Sequence, residues 1–215
     1  MTRSRRYHHG NLKQTLLQSA VKVLAKAGPR DFTLREVARQ AKVSHNAPYR
    51  HFRDKDELLA AVAAQGFNRL ADTMISASDA ISDPLEAFRA SGLGYVRFAL
   101  EWPDHFAIMF DSGPDLGAYP DYAAAGHRAF QVLLDKIVAA QNARQLRPGD
   151  PNRLALIAWS LVHGIAKLAI AKRLPLGSDH AILQFTEFAT HALGEGLTNV
   201  KAITPSAARS PGRLS

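Results

Sequence analysis

The sequence predicts an all-α protein, with an N-terminal three-helix, helix-turn-helix head followed by a C-terminal helical bundle. Three observations lead there. No two-residue alternation of apolar and polar side chains is sustained long enough for a strand. Apolar residues recur instead every three or four positions, in segments that mostly open on a capping residue or a proline. The charge is also split: the net charge is +8 over 215 residues, yet residues 1–55 carry 13 Lys/Arg against 3 Asp/Glu, and the remainder carries 14 against 16. With 47% hydrophobic residues the chain can bury a sizeable core.

Residues 1–9, MTRSRRYHH, have no apolar period and read as a basic arm. Arg3, Arg5 and Arg6 either touch phosphates or fray as a charged terminus, and the adjacent His8 and His9 make a poor chelate. Over 11–27, Leu12, Leu16, Ala20, Val23, Leu24 and Ala27 form the stripe of a first helix, which Gly28-Pro29 ends. Thr33 and Glu36 form a capping box that starts a second, two-turn helix. Lys42-Val43-Ser44 breaks its period, and Ser44 is placed to cap a third helix over 44–52, in which Pro48 lies near enough to the start for little of the ladder to be lost. Asp54 and Glu57 repeat the box and open a long helix to about residue 81. The first helix is expected to pack on Phe32, Val37, Ala38, Val43 and Phe52, so that the next two present one rigid surface.

That outline matches a DNA-reading helix-turn-helix, although a helical hairpin with a solvated polar face has the same spacing. The basic surplus falls on this segment, and no amphipathic basic helix with an aromatic anchor accompanies it, so nucleic acid fits better than membrane. Residues 10–59, above all F-T-x-R-E-V-A, V-S and P-Y-R-H-F-x-x-K-x-E-L-L, resemble the N-terminal DNA-binding domain of the tetracycline-repressor (TetR) family. The resemblance implies a dimeric transcription factor with a ligand-binding C-terminal domain, in most members a repressor. Arg35, His45, Asn46 and Ala47 are then the candidates for base edges, and Thr33, Ser44, Tyr49, Arg50, His51 and Lys55 for phosphates.

The body continues with Asp83-Pro84-Leu85-Glu86, a box with proline at the first helical position, opening a helix that stops near Trp102-Pro103. A short helix over 103–110, a Gly/Pro-rich loop over 112–119 and a helix over 120–144 follow. The last two helices, 151–173 and 178–197, form an antiparallel pair. Their apolar stripes, Leu154, Ile157, Leu161, Val162, Ile165 and Leu168 on one and Ile182, Phe185, Phe188, Ala189, Ala192 and Leu193 on the other, are wider than one partner covers. That width favours a homodimer through a four-helix bundle over burial in the monomer's own core. Trp159-x-x-x-His163-Gly164 resembles the motif of the WHG-type C-terminal domain found on some TetR-family regulators, and a core Trp beside a hydrogen-bonded His is its plainer use. Residues 199–215 lack any period and read as a disordered tail. The domain division expected is 1–54 for the arm and head, 55–198 for the effector and dimerisation domain, and 199–215 for the tail.

A TetR-like body encloses a cavity. The large residues on its helices, Phe67, Leu70, Met74, Phe88, Tyr95, Phe98, Met109, Phe130 and Trp159, are its candidate walls, with Arg97, His127 or His163 orienting a small, mainly apolar or planar effector. No cysteine is present, which removes disulfides and thiolate chemistry. No cofactor and no metal are expected, although His105, His127, His163 and His191 fall on different helices that could converge. No phosphate loop, nucleophile elbow or H-E-x-x-H pattern marks an enzyme. The rival readings are a metal-binding or small-molecule helical enzyme and a DNA-architectural dimer without effector. Residues 1–20 lack the apolar core of a signal peptide, and the apolar run 154–171 is interrupted by His163, Gly164 and Lys167. The expectation is therefore a cytoplasmic protein with no membrane partner.

Overall fold

The computed structural model describes residues 9–111 and 118–199. Eight α-helices and no strand occur among them: α1 His9–Asp31, α2 Leu34–Gln40, α3 Lys55–Ser78, α4 Pro84–Glu101, α5 Pro103–Asp111, α6 Pro120–Asn142, α7 Pro151–Ile170 and α8 Asp179–Asn199. A 3₁₀ turn, Pro48–Arg50, lies between α2 and α3. The basic arm, most of the 112–119 loop and the tail fall outside the described residues.

Local chemistry sets the helix boundaries. Gly28 has φ 78° and ψ 166°, so a kink there divides α1 into two helical pieces at the expected break. The Thr33 capping box forms in full: Glu36 N–H donates to Thr33 Oγ1 at 3.2 Å, and the Thr33 N–H donates to Glu36 Oε2 at 2.9 Å. At the other end Ala41 caps α2 and Lys42 takes a left-handed φ of 56°. The Val43 N–H then reaches Ala38 O at 3.0 Å and the Lys42 N–H reaches Arg39 O at 3.1 Å, a Schellman closure made without the usual glycine. Asp54 accepts from the Glu57 N–H at 2.8 Å, while the Glu57 carboxylate turns back to the Arg53 N–H at 2.6 Å, one residue earlier than a standard box.

The helix expected over 44–52 does not form. Ala47 N–H donates to Ser44 O, Arg50 N–H to Ala47 O and His51 N–H to Pro48 O, all three-residue closures. Pro48 has no N–H with which to reach Ser44 O, so the first four-residue bond of the expected helix cannot be made. The segment winds as successive tight turns until the Phe52 N–H reaches Pro48 O. No capping bond from the Ser44 side chain is made at the 3₁₀ turn, whose preceding residue is Ala47.

One continuous apolar core runs through the described chain. Leu16, Leu17, Ala20, Leu24, Phe32, Leu34, Val37 and Phe52 join Leu58, Leu59 and Val62 on α3, and from there the core passes through Phe98, Phe106 and Ile137 to Ile165 and Leu197. α3 packs on α4, α5 and α6 and also on α1, and α4 packs on α6, α7 and α8. The α3–α4 crossing is close because Gly94 has no side chain: a Cβ there would stand 3.0–3.1 Å from Ala77 Cβ, Met74 Cα and Thr73 O.

α7 is long and apolar enough to cross a membrane by length and composition. It nevertheless buries Leu154, Ala155, Ala158, Val162, Ile165, Ala166 and Ala169 against its neighbours. The two stripes expected to meet a partner therefore divide. Leu154, Val162, Ile165 and Ile182 face inward, whereas Ile157, Leu168, Phe185 and Phe188 stay exposed, Phe188 to 68%, with Leu156, outside the expected stripe, exposed beside them.

Candidate DNA-reading surface and effector cavity

Eight of the ten residues assigned to DNA lie on the surface of one region: Thr33, Arg35, Ser44, His45, Asn46, Tyr49, Arg50 and Lys55 are exposed. Ala47 is buried at 7% exposure, its methyl turned into the head by the tight turns before Pro48, so it presents nothing to a base. His51 is half-buried, and its Nε2 is enclosed with no hydrogen-bond partner. His51 faces the body instead. With Phe52, Lys13, Glu57, Ala60, Ala61, Tyr119, Pro120, Asp121 and Tyr122 it lines a small space of about 90 Å³ under the start of α6. Arg39, Lys42 and Arg53 are exposed cations of the same region that the motif reading left out. Arg53 pairs with Asp54 at 3.0 Å, and the Asp54 carboxyl is held below its ordinary value first by the Glu57 N–H and then by Arg53.

The body contains an apolar cavity of about 320 Å³ among α3, α4, α5, α6, α7 and α8, near the lower end of the range for small-molecule sites. Seven of the candidate wall residues stand in it: Phe67, Leu70, Met74, Phe88, Tyr95, Phe130 and Trp159. Phe98 is wholly buried in the core and Met109 packs beside Gly66, so neither reaches the space. Arg97 and His127 point to solvent.

His163 stands one shell behind the wall. Its Nδ1 lies 2.8 Å from the Tyr95 hydroxyl, which accepts a hydrogen bond from Trp159 Nε1 at 3.2 Å. The His163 ring stacks on Phe106 at 5.3 Å and meets Phe110 edge-on at 4.7 Å. Burial, and next the Lys167 ammonium, lower its pKa, while burial raises that of Tyr95. A neutral imidazole results, and it fixes the tyrosine whose ring forms the wall.

What pattern reading missed is chiefly small or charged. Gly92, Gly126, Ala129 and Ala158 make the space by leaving it, and no periodicity marks such a role. Among the described residues, Arg89 is the one charged residue in the wall. Its Nη1 pairs with Glu86, its side chain is 13% exposed, and its enclosed Nε has no acceptor. An unsatisfied buried donor costs about 1–3 kcal/mol. Tyr122, also missed, lines both the cavity and the small space beneath the head, and packs edge-on against Phe67 at 5.6 Å. Among the described residues no three His, Asp or Glu side chains gather as a metal site, and His105, His127, His163 and His191 do not converge.

A capped two-turn helix, a tight turn with exposed polar residues and a helical body around an apolar cavity define a helix-turn-helix regulator with an effector-type domain. Residues 16–62 match the family model described as bacterial regulatory proteins, tetR family, and residues 88–193 match that of the tetracyclin repressor-like C-terminal domain. The chain belongs to the tetR family.

A solved protein of unknown function from Rhodococcus sp. RHA1 is 36% identical, with 91% of this chain and 100% of that one covered and a TM-score of 0.78. An HTH-type transcriptional repressor of Mycobacterium tuberculosis is 35% identical over 71 residues, 33% of this chain, and the match spans 37% of that repressor's length. The Bacillus subtilis regulator FadR, solved in complex with stearoyl-CoA, shares the fold at 12% identity, with a TM-score of 0.72 over 85% of this chain and 98% of that one.

Proposed function

We propose that the protein is a cytoplasmic, ligand-responsive repressor, not an enzyme, that binds an inverted-repeat operator as a homodimer. One observation carries this reading. α3 begins at the end of the DNA-reading segment, and its middle supplies Phe67, Leu70 and Met74 to the cavity wall. A ligand that favours one tilt of α3 therefore moves the head. Tyr122 gives a second route, since a ring displaced in the cavity also disturbs the space beside His51 and Phe52. The exposed apolar face of α7 and α8 supports pairing with a second copy about a two-fold axis. FadR, with its acyl-CoA, supports an apolar effector in this fold. The Trp159, His163 and Gly164 motif, which braces Tyr95, supports the finer WHG-type assignment. We read residues 1–54 as the DNA-binding unit and 55–198 as the unit that senses and dimerises.

The reading is tested with purified protein, a palindromic duplex and random DNA. A dimeric mass and a preference for the palindrome are expected; a monomer at micromolar concentration that treats both duplexes alike defeats it. Asn46→Ala should relax sequence preference by about 1–3 kcal/mol at one base pair. Lys55→Ala should weaken all sequences alike and flatten the salt dependence by roughly one unit of slope. Effector binding should shift operator affinity by about 5- to 150-fold, with DNA shifting effector affinity by the same factor.

A further inference from the structure

The chemical class of the effector follows from Arg89, and here the inference rests on the cavity being an effector site. We propose that the cavity takes a hydrophobic monocarboxylic acid, with its carboxylate on the Arg89 guanidinium and its apolar body among the aromatic walls.

Among the described residues, Arg89 is the one charged side chain lining a space otherwise walled by aromatic rings, those of Tyr95 and Tyr122 included, by Thr190 and by aliphatic residues. A cation placed there needs an anion, because in a poorly hydrated site water does not replace one. Glu86 answers only part of the need. It accepts from Nη1, and its own side chain is 47% exposed, so it holds the guanidinium from the solvent side. Arginine has five N–H donors in a planar fork, and the enclosed Nε donor is without an acceptor.

The backbone opposite is shaped to this group. Gly194 on α8 faces the guanidinium edge, where a Cβ would stand 2.9 Å from Nη2 and 3.0 Å from Nε. Any larger residue there would displace the guanidinium, so it is the missing side chain that lets Arg89 lie enclosed against α8. Gly92, one turn beyond Arg89 on α4, faces Thr190 and Val162 at the same wall, and keeps α8 near enough to confine the arginine.

These features choose among ligand classes. A cationic ligand would meet Arg89 with like charge. A neutral one would leave the arginine as it stands, with its donor unanswered. A dianionic phosphate needs several cations or a run of backbone N–H groups, and the wall offers a single guanidinium. A monocarboxylate matches the single guanidinium in charge.

The test uses the full chain, calorimetry and two acid–alcohol pairs: naphthalene-2-carboxylate against 2-naphthalenemethanol, and decanoate against 1-decanol. In at least one pair the acid should bind about tenfold or more tighter, the range of a charge-assisted hydrogen bond. Arg89→Met should bring that ratio to within about twofold, and Arg89→Lys, which keeps the charge but loses the fork, should leave an intermediate ratio. The lysine variant carries the test alone if the methionine variant does not fold. Alcohols that bind as tightly as their acids in both pairs overturn the proposal, and so does an acid preference that survives both substitutions. A neutral apolar dye separates the two levels of the argument. If the dye binds in the cavity and neither acid does, the acid class is wrong and the effector site stands; if nothing binds, both fall.

Discussion

The head and the body use side chains in opposite ways. In the head the residues proposed to meet DNA are mostly exposed, polar and close in sequence, held by caps and turns within a few positions of themselves. In the body the residues that line the cavity are mostly buried and apolar, brought together from α3 to α8, and the space among them exists because Gly92, Gly126, Ala129 and Ala158 are small. A surface is specified by what is present, whereas a cavity depends equally on what has been left out. The two regions nevertheless share one continuous apolar core, with α3 as their common member.

Sharing of the core can be broken from either side. Phe52→Ala in the head and Phe106→Ala in the body each remove a nearly or wholly buried ring, and each should cost about 3–5 kcal/mol. If head and body unfold as one unit, both variants shift a single urea transition. Two separated transitions, each moved by only one of the variants, would show that the regions are energetically distinct.

Tyr95→Phe should cost less, about 1–3 kcal/mol, by leaving Trp159 Nε1 and His163 Nδ1 without their shared partner. It should also alter effector binding while leaving operator affinity without effector unchanged, which sharpens the contrast between the regions. Smaller again are the two ends of α2. Thr33→Ala removes the cap and should destabilise by about 1 kcal/mol. Lys42→Gly relieves a left-handed φ and should stabilise by less than about 1 kcal/mol. Equilibrium melts of the two variants should move in opposite directions.

The dependence on pH should belong to the body. Burial lowers the folded-state pKa of both His105 and His163 from 6.5, with Arg69 and Lys167 as the respective second causes. The unfolded chain therefore takes up protons first as pH falls below about 6.5, and stability drops there and levels off below the folded values. His163→Gln should flatten that fall, measured as denaturation midpoints between pH 5 and 8. An unchanged slope would place its origin elsewhere.

The helical segments, and the exposure of most of the residues proposed to meet DNA, were legible in the sequence because caps and amphipathic stripes act over four residues or fewer. Thr33 with Glu36 shows this directly. The recognition segment was misread where one missing N–H, at Pro48, outweighed the motif's outline, and the same turns carry Ala47 inward. In the cavity, size identified seven wall residues but could not separate Phe98 and Met109, which fill the core, from Phe130 and Trp159, which border a void. Arg89 was hidden for a different reason. A charge beside Glu86 on an amphipathic helix looks like an ordinary surface pair, and only the path of α8 past Gly194 encloses it.

Phe188 and its neighbours Phe185, Leu156, Ile157 and Leu168 also bear on how any melting temperature is to be understood. When an apolar strip is covered only by a second copy, folding and association draw on the same free energy, and by mass action the midpoint climbs as the protein is concentrated. A substitution on that strip acts twice per dimer. If this strip is the dimer face, a dilute sample is a weakened one, and stabilities measured at unequal concentrations cannot be ranked against each other.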